Sequence, residues 1–411
     1  MRRILLPSVL SFVSFLILSS TAAQNDRFAY AITDVTKDGT SWNALRRLDL
    51  QTGEYSDVMF IGNDLRTIAF DASSKKQLAP LNDAKYGNLL QAPFSTGVAA
   101  AAYDRKHDRL YYTPMFIDQL RYIDLKTMKV YYIMDKAFTK NGHMNNEEGK
   151  VITRMAITSD GTGYAISNDG NTMIRFSTGK KIEIEQMGSL SDDPSNKGIS
   201  IHNRCSSYGG DMIADNEGNL YVFSAMNNVF KVNTSTRIAT HLGQIKNLPQ
   251  GFTVNGAVVD LDNNILVSSA VSGGSYYVIN YKDWSATPYI TAKNVFKSSD
   301  LANSNVLCIG PRPVTIPPVP DQVFARQISL YPNPVTENRI TLEFNKVPAG
   351  DYLLEVRDLF GRTVQQSQFN INAESQTQQI ALKQRNTKGV YFLKISDRSN
   401  KSVFSQKIIV R

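Results

Sequence analysis

Apolar and polar positions alternate along most of the chain in short runs separated by turns rich in Asp, Asn and Gly. Between residues 97 and 291 one such sequence of runs is written four times. The copies open with "GVAAAAYDRKHDRLYYTP" from Gly97, "ITRMAITSDGTGYAIS" from Ile152, "YGGDMIADNEGNLYVFS" from Tyr208 and "VNGAVVDLDNNILVSSA" from Val254. Each is a strand of small and apolar residues, a tight polar turn, and a second strand such as "RLYYT" or "NLYVF". The turn residues suit the positive backbone angles that tight hairpins require. Two more alternating runs follow each hairpin, for example "QLRYIDLKTMKVYYIM" and "NVFKVNTSTRIATHL". The unit is thus four antiparallel strands, recurring at starts 46 to 56 residues apart. A β-sandwich has no need of the same four-strand unit over and over. The pattern predicts an all-β chain whose larger part, residues 24–310, is a β-propeller.

The N-terminal runs "RFAYAITDV" and "NALRRLDLQTGEYSDVMF" supply only the later three strands of another blade. Its inner strand is expected from "SSDLANSNVLCIG" (Ser298 to Gly310), which closes the ring with both ends of the propeller and leaves no sheet edge open. That gives five blades, or six if the stretch 61–96 contains a degenerate one. The turns "DGTGYAIS" and "DNEGNLYVFS" resemble those of secreted propellers of the NHL, YVTN and lactonase-like type. The resemblance is architectural and carries no signature residue.

Strand-like alternation resumes near residue 327, after "PRPVTIPPVPDQ" (Pro311 to Gln322). That stretch is too rich in proline to join a sheet, so residues 311–326 read as an extended, semi-rigid linker. "ISLYPNP", "RITLEF", "GDYLLEVRDLFGRTV", "TQQIAL", "GVYFLKIS" and "SQKIIVR" then predict a small Ig-like β-sandwich over 327–411. These phrases resemble the type A C-terminal sorting domain of the type IX secretion system of Bacteroidetes. The match runs through Tyr331, Pro332, Asn333 and Pro334, then Gly350, Tyr352, Leu354, Val356, Asp358 and Gly361. It continues through "KGVYFLKI" with Gly389 and ends in "QKIIVR" with Lys407. The resemblance implies a protein secreted from, or attached to the outer membrane of, a Gram-negative cell. Its implied partners are the secretion translocon and a sortase-like peptidase acting on 327–411, with cleavage in the linker.

The first residues fit that route. Arg2 and Arg3 precede an apolar run from Ile4 to Leu18, and Thr21 and Ala23 stand at −3 and −1 of a small-residue cleavage site. Residues 1–23 therefore read as a signal peptide, with an apolar run short of the roughly 20 residues of a membrane span. No other segment reads as transmembrane. The formal charge of +8 is concentrated at the ends. Residues 327–411 carry a net +5, and residues 24–326 only +1. Nucleic-acid binding needs a dense basic stripe, which the propeller lacks. The two cysteines, Cys205 and Cys308, are free to pair in an oxidising compartment, but their spacing does not decide whether they do.

Blade strands alternate in direction, so the connections leading into each inner strand emerge on one face. Those connections are the long ones, about 61–96, 136–151 and 189–207, and long loops on a rigid scaffold are where binding sits. They and the loop "TDVTKDGTSWN" put Trp42, Tyr86, Phe94, His143 and His202 forward as ligand-binding residues, with Glu147, Glu148, Asp192 and Asp193 beside them. Catalytic patterns are thin. "HNRC" sets His202 three residues before Cys205 with no third orienting group, and "NGHMNNEEG" is not a zinc-hydrolase helix. "DLDNN" at Asp260 lacks the acidic twelfth position of a calcium loop, and the "NTS" at Asn233 lies in a turn. Neither a metal nor a cofactor is expected. The sequence thus reads as an exported propeller that binds an extracellular protein or glycan. A propeller-fold hydrolase or lyase at the channel mouth is the alternative, and an accessory surface component a third class.

Overall fold

Hairpins of this kind close only if their inner strands can approach one axis, and the small residues of the repeat allow that. The computed structural model describes residues 26–80, 91–139, 147–289, 295–310, 327–358, 363–382, 388–398 and 402–411. Contacts divide the chain into two compact units, Met1–Gly310 and Pro311–Arg411.

The first unit begins with β1 (Phe28–Thr33), β2 (Ala44–Asp49) and β3 (Phe60–Ile61). Next come β4 (Ala69–Asp71), β5 (Val98–Asp104), β6 (Arg109–Pro114), β7 (Arg121–Asp124) and β8 (Lys129–Tyr132). The third group is β9 (Ile152–Ile157), β10 (Thr162–Ser167), β11 (Met173–Ser177) and β12 (Ile184–Gly188). The fourth is β13 (Ser191–Asp192), β14 (Asp211–Ala214), β15 (Leu220–Phe223), β16 (Asn228–Val232) and β17 (Ile238–Gln244). The last is β18 (Gly256–Val259), β19 (Ile265–Ser268), β20 (Tyr277–Asn280), β21 (Ser285–Pro288) and, returning to the first blade, β22 (Ser298–Ala302).

These strands form five sheets. Their inner strands β22, β5, β9, β14 and β18 each pack against the next, and β18 against β22, so the ring closes at five blades. β22 pairs antiparallel with β1, Ala31 opposite Leu301, so the first blade is completed from the other end of the unit. Among the described residues the stretch 61–96 supplies no sixth inner strand. Its β4 instead runs parallel to β8 and extends the second blade by one outer strand, as β13 does on β17 in the fourth. Two of the long connections are thus partly strand, covering blade edges that would otherwise be open to other chains.

Ala100, Ala101, Ala156, Ala214 and Ala257, all buried, let the inner strands approach closely. Each inner hairpin turn carries an Asp that holds its shape. Asp160 accepts from Thr162 N at 3.0 Å, Asp215 from Asn219 N at 2.8 Å and Asp260 from Asn264 N at 2.8 Å. The "DLDNN" carboxylate is thereby satisfied within its own turn, since Asp260 also takes Asp262 N and Asn264 Nδ2. Gly210, at φ +90°, could carry no side chain: a Cβ there would lie 1.7 Å from Phe223 O.

After β22 the chain runs along the lower face of the ring. Leu307 N donates to Ala214 O at 2.9 Å, Cys308 N to Asn263 Oδ1 at 2.7 Å and Ile309 N to Asn216 Oδ1 at 2.8 Å. Asn305 Nδ2 reaches both Asp26 O and Val259 O. Residues 303–309 thus lie across the turns of the fourth and fifth blades. Cys205 and Cys308 are both free thiols, so no disulfide joins them.

The second unit is a β-sandwich. One sheet holds β23 (Ile328–Tyr331), β24 (Arg339–Asn345) and β27 (Ser375–Ala381). The other holds β25 (Gly350–Asp358), β26 (Thr363–Ile371), β28 (Gly389–Ser396) and β29 (Ser402–Val410) in the order β26-β25-β28-β29. Alternate residues of both sheets, among them Leu342, Phe344, Leu354, Val356, Leu393 and Ile408, make one buried core.

Candidate functional site

The face on which the inner strands begin is called the upper face. Its most developed cluster lies between the third and fourth blades. The connection into β14 contains a four-residue helix, Arg204–Ser207, whose first turn is capped by Asn203 Oδ1 on Cys205 N at 2.8 Å. This turn presents His202, Arg204 and Tyr208 toward the loop between β10 and β11. His202 Nδ1 donates to Asp169 O at 2.6 Å, which assigns the other ring nitrogen, Nε2, as the basic one. Gly170 makes the approach possible, since a Cβ there would lie 3.2 Å from His202 Nδ1. Arg204 pairs with Glu148 at 2.8 Å, and Tyr208 OH lies beside Gly149 and Asp169. Burial, helped by the Asp169 charge, raises the Tyr208 hydroxyl above its ordinary range. The result is a shallow polar surface of mixed charge with one aromatic ring.

Directly beneath lies Arg154, fully buried on β9. Its guanidinium donates to Ser167 O at 3.1 Å, to Gly209 O at 2.9 Å and to Ser207 O. Burial lowers it to about 10, so it stays charged at neutral pH. Arg154 therefore fastens the loop carrying His202 and Tyr208 to the third blade. The positive charge faces Asp211, whose Oδ2 accepts from Ala257 N at 2.6 Å on the inner strand of the next blade. Asp300 on β22 is also fully buried, and neither of its carboxylate oxygens has a side-chain or main-chain hydrogen bond of good geometry. Burial first, then the proximity of Asp211, pushes the Asp300 carboxyl well above the usual range. Burial raises Asp211 likewise, against the pull of its backbone donors and Arg154. Two carboxyls this deep do not both ionise. Toward the lower end the axis holds a cavity of about 20 Å³ lined by Ala101, Met155, Met212 and Asn305, room for about one water.

The residues expected to bind ligand fall into separate places. His202 belongs to the cluster just described. Trp42 is half-buried at φ 48° beside the start of β5, where Val98 N donates to its carbonyl at 3.2 Å. Phe94 is a correction: its side chain is fully buried, edge-on to Phe60 and Tyr112, and anchors its loop in the core instead of facing outward. Tyr86 and His143 lie outside the described residues. His202 is not a base for Cys205: its Nδ1 is bonded to Asp169 O, and Cys205 is exposed on the next turn. Asp192 and Asp193 are occupied by their own loop, accepting from Ile201 N and Ser195 N. Among the described residues no three His, Cys, Asp or Glu side chains converge as a metal site. Arg154, Asp211 and Asp300 went unmarked in the sequence. Their signal was a single charge interrupting each of three apolar inner strands, "ITRMAI", "DMIA" and "SSDLA".

In the sandwich, the segment Tyr331–Pro334 lies along the outer edge of β29. Asn333 Nδ2 donates to Lys407 O at 2.8 Å, and Ile409 N donates to Asn333 Oδ1 at 3.0 Å. Val335 N donates to Ile409 O at 2.7 Å and Arg411 N to Val335 O at 2.9 Å. Gly389 opens β28 opposite Val410, and Gly350 opens β25 opposite Ile371. Gly361 lies outside the described residues. Residues 329–411, which contain all of this, match the family of secretion system C-terminal sorting domains. The tail is a sorting domain. As a sorting domain of the type IX secretion system it makes this protein a secreted or cell-surface one, of Bacteroidetes. The sorting domain accounts for the second unit; the first has weaker likenesses.

No curated protein matches the chain by sequence. Among solved structures, PorZ, an essential bacterial surface component of the type IX secretion system of Porphyromonas gingivalis, is 16% identical over 93% of this chain and 51% of its own, with a TM-score of 0.34. The chain spans about half the length of that protein. Virginiamycin B lyase from Staphylococcus aureus is 10% identical over 93% of this chain and 95% of its own, with a TM-score of 0.33. A putative 6-phosphogluconolactonase from Bacteroides fragilis is 13% identical over 64% and 68%, with a TM-score of 0.33. The propeller assignment stands on the strand pairing of this chain. Among the described residues no helix is long and apolar enough to cross a membrane.

Proposed function

We propose that the propeller is the exported cargo and binds an extracellular protein or glycan through its upper face. The observation that carries this reading is the Glu148–Asp169–His202–Arg204–Tyr208 cluster, held on two blades by the buried Arg154. It combines an aromatic ring, both charges and an imidazole with a fixed tautomer on a scaffold that does not need them for its core. Residues 303–309 lie against the lower turns of the fourth and fifth blades, and Asn305 lines the small cavity at that end of the axis. The sorting domain is handled by the secretion translocon and then removed by a sortase-like peptidase in the linker.

The test is to screen the full-length protein against an immobilised glycan array and a panel of purified extracellular matrix proteins. A ligand whose binding weakens about tenfold in Arg204→Ala or His202→Ala, the usual loss for a contact at the centre of an interface, supports the reading. Glu217→Ala, on an exposed turn at the opposite end, should leave it unchanged. Ligands indifferent to Arg204, His202 and Tyr208 would sink the proposal. Turnover of a lactone or a glycoside by the same preparation, lost in His202→Ala, would favour the hydrolase or lyase reading instead.

A further inference from the structure

β29 is bonded to β28 on one side only, and its other side is an outer edge of the sheet. Such an edge ordinarily offers its N–H and C=O groups to an incoming strand, a common way for one protein to read another. Here the last part of the edge is already closed. Asn333 covers Lys407 C=O and Ile409 N–H with the two halves of its amide, and Val335 covers Ile409 C=O and Arg411 N–H. A partner strand would find no free backbone group among these four positions.

What remains outward is the side chains. The two-residue period of β29 buries Ile408 and Val410 and leaves Lys407, Ile409 and Arg411 exposed. Among the described residues neither Lys407 nor Arg411 has an ion pair, whereas Arg398 and Arg357 are paired with Asp351 and Glu355. Ile409 stands 37% exposed between the two cations, a large apolar group that the core does not use. The unit as a whole carries a net +5 over residues 327–411, so an acidic surface is its electrostatic complement.

We infer that the sorting domain is read through the Lys407–Ile409–Arg411 side-chain face, by an acidic protein surface with an apolar floor, and not by strand addition at this edge. Asn333 is then a positioning residue: it closes the edge and fixes the register in which the face is presented. This rests on the reading that the tail directs export, and the experiment separates the two.

Full-length chains are expressed in the native cells, and the fraction in the medium and on the surface is compared with that in the periplasm. Deletion of 327–411 should leave the chain periplasmic. Lys407→Glu with Arg411→Glu should lower the exported fraction about tenfold, as like charges meet across the interface, while the thermal melt of the purified chain is unchanged. Lys407→Arg with Arg411→Lys should export normally. Asn333→Ala should export less and speed hydrogen exchange at the Ile409 amide, which simple loss of a surface contact would not do. If the charge-reversed chain lowers the melt, Lys407→Ser with Arg411→Ser replaces it and should show the same retention. Normal export of the charge-altered chains, with the deletion still retained, overturns the inference and leaves the sorting role standing. Normal export of the deletion overturns both.

Discussion

Asp300 shows what one residue can impose on the whole propeller. Its carboxyl is raised in the folded state, so the native protein keeps a proton that the unfolded chain releases near the ordinary value of 3.8. The sign follows: this contribution is complete below about pH 4 and is lost as pH rises through the folded value. Asp300→Asn removes the titration without changing shape. The variant should gain about 1–3 kcal/mol over the parent at neutral pH and nothing at pH 3.5, read by urea denaturation at both. Arg154 is the opposite case. Arg154→Met leaves the carbonyls of Ser167, Asn168, Ser207 and Gly209 without their donor and Asp211 without its cation, and should cost about 3 kcal/mol, measured the same way. Neither role was readable from the sequence beforehand. A charged letter in an apolar strand marks a buried ion, but only the ring geometry shows that "ITRMAI", "DMIA" and "SSDLA" meet at one axis. Phe94 illustrates the converse: an aromatic in a long loop looks like a ligand contact until the loop is seen folding it inward.

At the scale of elements, most of the architecture was legible because strands buried on one side must alternate and hairpins need their turn residues. The four-strand unit and the return of Ser298–Ala302 to the first blade follow from those two constraints, whereas the choice between five and six blades had to come from the packing of the inner strands. β4 and β13 were not legible. They are two or three residues long and pair through backbone groups, so they impose no side-chain period. The closing strand makes a sharp prediction. Leu301 on β22 packs into the core shared by the first and fifth blades, so close to Gly256 that a Cβ added there would lie 2.7 Å from it. Leu301→Ala should therefore cost about 2–5 kcal/mol and lower the midpoint of the entire propeller, because the ring has no independent first blade to lose. A calorimetric trace in which only part of the unit melts early would contradict this.

For the molecule as a whole, the sequence shows a route more clearly than an activity. The tail is recognisable because many positions of one small sandwich must be kept together, including Tyr331–Pro334 and the strand they clamp. A binding face has no such internal grammar; its residues come from several blades and answer to an outside partner. Processing gives the prediction at this scale. Intact mass and terminal sequencing of the protein from the cell surface and medium should show a chain starting near Gln24 and ending within residues 311–326. A mature chain that retains Arg411 would mean that the sandwich stays part of the functional surface.

The strap formed by residues 303–309 has a mechanical consequence. Any pull on the tail reaches the propeller at Gly310, directly behind the hydrogen bonds that Leu307, Cys308 and Ile309 make to the turns of two blades. Those bonds bear the load before it can reach β22, whose release would open the ring. The strap works as a strain relief, like the clamp that holds a cable at its plug: a pull on the tail meets these bonds before it can unlace the ring.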